Sequence, residues 1–335
     1  MKRNSTPVGL LIGVTAALAF GMSGAFIKPL LEAGWSPAAA VTVRALIGGL
    51  VLLPVALVSL RGRWSTVWAG RWRIAAMGGI GVAATQLVYF ASLARIPVSM
   101  AILIEYMAPV LLVLFVWVTT RQVPRLVVII GSVVSIAGLV LVVSPGAAGA
   151  LDVLGIIFAA LAAIGCAIYY VVAARPAQGL PPVALASFGL LLGAVALGLV
   201  GLTGLLPLDI TTGTVVMGGA DVPFWIPLLL VAVVATGFSY VASITAAGML
   251  GSRLASFVGL LEVIAAALYA WLLLGEALGP WQILGGALIL AGIWFVQSDK
   301  VHPEPVVEER SRGQTVVSSP SDKPDTRRSS SHITL

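Results

Sequence analysis

The chain has 335 residues, 59% hydrophobic and 10% charged, with a mean hydropathy of +1.07 and a formal net charge of +6. That balance excludes a soluble globular protein and places the chain in a bilayer. A single cysteine, Cys166, excludes an intrachain disulfide, both histidines (His302 and His332) fall in the C-terminal tail, and the Lys and Arg residues form no continuous face, so no intramembrane His or Cys metal site, no cofactor and no nucleic-acid partner are expected.

Crossing a hydrocarbon core of ~30 Å takes ~20 apolar residues as a helix. On that measure residues 1–7 are a short N-terminus, followed by ten spans at 8–27, 37–60, 72–94, 98–118, 124–143, 151–173, 183–203, 224–248, 252–274 and 280–298. Runs this long without period-two alternation predict helices and not a barrel, because backbone groups cannot go unpaired in lipid. The first span follows Met1-Lys2-Arg3 and contains Ala17-Leu18-Ala19, which imitates a signal-peptide cleavage site. Its likeness to the sixth span argues that it is retained. Residues 299–335 are rich in Ser, Arg, Pro and Glu and are expected to form a disordered tail.

Ten spans put both ends on one side, and the basic residues say which. Lys2, Arg3, Arg61, Arg63, Arg71, Arg73, Arg121, Arg125, Arg175, Arg253 and Lys300 share that side, against Lys28 and Arg95 opposite. Both termini are therefore expected in the cytoplasm, with the chain multi-pass in the cell (inner or plasma) membrane.

The two halves resemble one another in order. SMAILIE (99–105) lines up with SFVGLLE (256–262), and Gly131 and Ala137-Gly138 reappear as Gly285 and Ala291-Gly292. Upstream, Ala17-Leu18-Ala19 near Gly21 matches Ala160-Leu161-Ala162 near Gly165, and Ser36-Pro37-Ala38 matches Leu180-Pro181-Pro182. Repeats over 8–143 and 151–298 hold five spans each. An odd number inverts the second repeat, so the expected fold is all-α, ten transmembrane helices as two inverted five-helix repeats. Such a pair has two mirror-related states and a site near the midplane, the construction of a transporter.

Charge within the spans singles out that site. Glu105 in span four and Glu262 in span nine occupy matching repeat positions, and burying either unpaired costs several kcal/mol. Arg44, at a similar depth in span two, is expected to pair with Glu105, which leaves Glu262 to carry an exchangeable proton. The plainer alternative is that Arg44 and Glu105 only lock two spans together and that a permanently protonated Glu262 donates one hydrogen bond. Small residues beside each glutamate (Ala101, Ala108 and Pro109; Gly259, Ala265 and Ala266) leave room for a solute, though close helix packing explains them equally well. Pro109 deprives the Glu105 carbonyl of its helical partner and predicts a kink. Tyr89, Tyr106 and Trp271 offer flat apolar surface with polar tips for an organic solute.

The second-repeat stretch LASFVGLLEVIAAALYAWLLLGEALGPWQILGGALILAGI (254–293), with Gly275-Glu276 and Gln282, together with GMSGAFIKPLLEAGWSPAAAVTVRALIGG (21–49) and AILIEYMAP (101–109), resembles the drug/metabolite transporter superfamily, specifically the EamA-type exporters of ten spans. The resemblance covers 8–298. It implies that Arg44 is the arginine usual in span two, that spans one, three, four, six, eight and nine surround a central cavity, and that small metabolites such as amino acids are exported. The first repeat departs where a glutamate is usual after span four, reading Arg121-Gln122, and Glu276 at a span end reads as a turn cap. The expected function is a secondary transporter of a small-molecule solute in the lipid bilayer, working by alternating access, either coupled to protons or run as facilitated exchange. Multidrug or toxic-compound efflux is the alternative. A channel is a lesser one, and a membrane enzyme has only the scattered Asp152, Asp209 and Asp221 to work with. No G-x-x-x-x-G-K motif supplies ATP.

Overall fold

A computed structural model of the chain describes residues 5–143, 152–173 and 179–298. The expected tail at 299–335 and most of the connection between the repeats lie outside the described residues.

The first repeat begins with α1 (Ser5–Glu32), earlier and longer than the sequence suggested. Helix α2 (Pro37–Ser59) starts on Ser36, whose hydroxyl accepts from Ala39 N at 3.2 Å, while Pro37 brings a preset φ. A connector carrying α3 (Ser65–Ala69) leads to α4 (Arg71–Ala76), a π-helical stretch Met77–Ala84 and α5 (Thr85–Leu93), which together make one span. Helices α6 (Val98–Glu105) and α7 (Ala108–Thr120) form the next span, broken between them at Tyr106-Met107, and α8 (Leu126–Val143) completes the repeat. The break is the kink expected from Pro109, which has no N–H to offer the Glu105 carbonyl.

The second repeat follows the same order: α9 (Val153–Ala173), α10 (Pro182–Leu202), α11 (Trp225–Leu229) with a π-helical stretch Leu230–Phe238, then α12 (Ser239–Gly259), α13 (Leu261–Leu274) and α14 (Pro280–Ser298). Six of the described segments are long and apolar enough to cross a membrane, and four shorter apolar helices complete the ten.

Two details differ from the sequence reading. Between α10 and α11 the chain forms an antiparallel hairpin, β1 (Thr214–Met217) with β2 (Ala220–Pro223), turning on Gly218 and Gly219, both at positive φ, as a two-residue hairpin turn requires. The three-residue break expected at 249–251 between spans eight and nine is also not a loop. Helical conformation runs unbroken from Ser239 to Gly259, yet a methyl at Gly13 of α1 would sit 3.5 Å from Ala246 and 3.0 Å from Val258. Twelve residues of straight helix would separate those two by ~18 Å. The helical path therefore doubles back on itself against the start of α1.

The repeats meet about a pseudo-two-fold relation that their glycines make visible. In α8 and α14, a Cβ on Gly131 would lie 2.6 Å from the Gly292 carbonyl, and one on Gly138 would lie 2.5 Å from the Gly285 carbonyl. Equivalent residues thus exchange contacts reciprocally and in antiparallel sense, the pattern of a self-complementary interface. Without a side chain the backbones approach closely enough to replace the missing hydrophobic drive with van der Waals packing. Elsewhere α1 packs on α12 and α13 as α9 packs on α5 and α6, and α2 lies along α10. The outward faces carry apolar side chains, such as Ile130, Val133, Ile136 and Val140 on α8, as a lipid surface demands. Trp64, Trp68 and Trp72 stand exposed beside Arg61, Arg63 and Arg71 at the end of α2 and start of α4, an aromatic and basic rim suited to the membrane–water interface.

Candidate functional site at the helix breaks

Helix α1 runs through the middle of the bundle and organises the site. A Cβ at Gly21 would meet the backbone carbonyl of Glu262 at 2.8 Å, so α1 lies directly against the first turn of α13. Two residues on, Ser23 accepts a hydrogen bond from Arg44 Nη1 at 2.9 Å, and the next residue, Gly24, abuts Val98 at the start of α6 and the Tyr89 hydroxyl. Three small residues thereby bring helices from both repeats to one level.

Arg44 is buried, at 4% exposure. Its Nη2 donates to Gln86 Oε1 at 2.6 Å, its guanidinium lies 4.6 Å from the centre of the Phe90 ring, and its Nε has no partner. No carboxylate lies within 4 Å of it among the described residues, so the expected ion pair with Glu105 is not formed. The physical reason is local: α5 presents an amide and an aromatic face, and α1 a hydroxyl, at the places a carboxylate would have filled. The Phe90 face and charge-assisted hydrogen bonds to neutral acceptors hold the cation. Among the described residues it has no direct ion pair.

The glutamates occupy the two interruptions of the chain. Glu105 is the last residue of α6, immediately before the break, and Glu262 lies in the first turn of α13, immediately after the kink at Leu260. A carboxylate is well placed at that helix start. Tyr106, the residue after Glu105, places its hydroxyl 2.8 Å from Glu262 Oε2 and 3.0 Å from the Gly259 carbonyl, donating to one at a time. It ties one repeat's break to the other's. Glu105 itself has no hydrogen-bond or ion-pair partner among the described residues, and it lies in the fields of both Glu262 and Arg44. Both carboxylates are half-buried. Tyr89 is buried at 5% exposure, its ring 6.0 Å from Phe90.

Trp271 does not join them. Nine residues of continuous α13 separate it from Glu262, which at 100° per residue turns it to the opposite face. There it continues the exposed stripe of Ile264 and Leu268 and reads as a lipid-facing anchor. Ser23, Gln86 and Phe90, by contrast, were not singled out from the sequence. Gln86 had a usable signal, an amide three residues from Tyr89 in an otherwise apolar span. Ser23 and Phe90 had none.

The model of the EamA-like transporter family matches the chain twice, over residues 7–144 and 153–298. The chain belongs to the EamA-like transporter family. It is thus a polytopic membrane protein of a family that transports small solutes, and the two matched stretches are the two halves that the glycine crossing relates. One solved structure, described only as "Crystal structure of protein", is similar over 86% of this chain and 96% of its own, with a TM-score of 0.58 at 20% identity, a likeness of fold. No curated protein matches the chain. Within this EamA-like bundle the structure brings Arg44, Tyr89, Glu105, Tyr106 and Glu262 to one level and leaves Trp271 outside.

Proposed function

We propose that this EamA-like protein is a secondary transporter that exports small amphiphilic metabolites, amino acids or their relatives, by alternating access. The observation that carries the reading is the placement of Glu105 and Glu262 at the breaks of two repeat-related spans, near a buried Arg44 that has no direct ion pair among the described residues. Discontinuous helices at a repeat interface are where carriers bind solutes, because broken ends leave backbone groups and side chains unpaired at mid-depth. A cation and a carboxylate that do not satisfy each other suit a solute carrying both charges. Glu262, held by the Tyr106 hydroxyl, is the proposed proton carrier, with Arg44, Tyr89, Glu105 and Tyr106 lining the path.

Orientation follows the basic residues, with both termini cytoplasmic and the Lys28 end outward in the cell membrane. Counterflow of radiolabelled solutes into proteoliposomes, screened over amino acids and cationic drugs with wild type and Glu105→Ala, tests this directly. Saturable counterflow of an amino acid, lost in the variant, is the expected result. Counterflow of hydrophobic cations alone makes the protein a multidrug carrier. Uniform, unsaturable flux makes it a channel and contradicts the proposal.

A further inference from the structure

The end of the bundle farthest from the N-terminus is tied shut by one side chain that reaches both repeats. Glu276 follows Gly275, which ends α13 in a left-handed turn (φ 68°), and its own N–H is held by the Ala270 carbonyl at 3.2 Å. That anchorage fixes where its carboxylate points. One oxygen forms an ion pair with Lys28 Nζ in α1, and the other accepts from Val98 N, the first residue of α6, at 2.8 Å. Lys28 also donates to the Ile96 carbonyl at 3.4 Å. Both side chains are only 15% exposed, so the attraction is screened far less than at a surface. The sequence reading of Glu276 as a cap of its own turn is thus only half of what it does, since it caps a helix of the other repeat.

We propose that Lys28 and Glu276 are the gate pair of the transport site, positioning residues whose contact closes this end and whose separation opens it. The three elements they join are those that carry the site. Helix α1 holds Arg44 through Ser23, α6 ends on Glu105 seven residues after Val98, and α13 begins beside Glu262. A solute leaving between these helices passes only when the pair has parted. Around it, Trp35 Nε1 donates to the Thr211 carbonyl at 2.7 Å, Ser36 Oγ to the Pro207 carbonyl at 2.6 Å and Gly218 N to the Leu273 carbonyl at 2.8 Å, so loop and hairpin close over the same end. Among the described residues both ion pairs, this one and the exposed Arg95–Asp152, lie at that end and both cross between repeats. The inference rests on the alternating-access reading.

Nitroxide labels at Glu32 and Ala277, both exposed, in a Cys166→Ser background report the opening as a distance distribution by double electron–electron resonance in nanodiscs. Glu276→Gln keeps an acceptor for the Val98 N–H, so the α6 cap survives while the charge attraction goes. The long-distance population should rise about fivefold in Glu276→Gln and in Lys28→Met, and stay at the wild-type level in Lys28→Arg. In counterflow the two charge-removing variants should change the maximal rate severalfold with KM unchanged, a split that a merely structural role would not produce. Identical distributions in wild type, Glu276→Gln and Lys28→Met overturn the gate. A shifted distribution in a protein that moves no solute supports the gate and instead contradicts the transport reading.

Discussion

Arg44 shows how a buried charge is tolerated without a direct ion pair. Ser23, Gln86 and the Phe90 face supply two hydrogen bonds and a stacking surface, so replacing it by alanine leaves two half-buried polar groups without these bonds. Arg44→Ala should lose about 1–3 kcal/mol of stability for those groups, read as a lowered thermal midpoint. Glu105→Gln should not restore it, since the two side chains do not touch. Restoration would show that they pair after all. Tyr106→Phe removes the hydroxyl that reaches Glu262 and leaves the ring in place. It should slow transport severalfold with little change in thermal midpoint, and equal rates would show the bond to be idle. Of this residue-scale picture, the glutamates were legible because carboxylates in apolar runs stand out. The partners of Arg44 were not, because a serine and a phenylalanine are ordinary in any membrane helix and only packing selects them.

At the N-terminus of α9, Asp152 accepts from Gly155 N at 2.8 Å and meets Arg95 at 3.1 Å, and these contacts, the backbone N–H foremost, hold its carboxyl below the usual range. A lowered pKa means that the unfolded chain takes up the proton more readily. The contribution is therefore present above the ordinary carboxylate pKa and fades as pH falls through the native value. Asp152→Ala should lower the thermal midpoint near neutral pH, and the difference from wild type should vanish in acid. A difference that persists in acid would locate the effect elsewhere.

The elements show the same division between what the chain spells out and what packing decides. Span lengths follow from hydropathy and the α6–α7 break from Pro109. The π-helical stretches Met77–Ala84 and Leu230–Phe238, which fall in corresponding spans of the two repeats, have no local signature. Neither does the doubling back near Gly13, where apolar sequence runs through a turn that tertiary contact with α1 imposes. The β1–β2 hairpin did carry a mark, the Gly218-Gly219 pair, within a loop that span prediction passes over. Crossing of α8 and α14 depends on absent side chains. Gly138→Ala places a methyl 2.5 Å from the Gly285 carbonyl and should cost about 1–3 kcal/mol, measured by thermal unfolding in detergent micelles. An unchanged midpoint would mean that the crossing can relax.

Across the whole molecule, inversion of one five-helix unit against another explains why its working parts come in pairs. Each repeat interrupts a span beside a glutamate, and Tyr106 links the interruptions. Order along the chain made the repeat readable even though residue-by-residue likeness is weak. What could not be read is how the halves close on each other, because Lys28 and Glu276 are 248 residues apart and no local pattern relates them. The proposed proton-coupled alternating access has the shared site exchange protons with one side at a time. The most direct measurement is accumulation of a transported amino acid in proteoliposomes, with and without a pH gradient, for wild type and Glu262→Gln. The account predicts gradient-driven accumulation in wild type only, with solute exchange kept in both. Equal gradient response in the two proteins would contradict it.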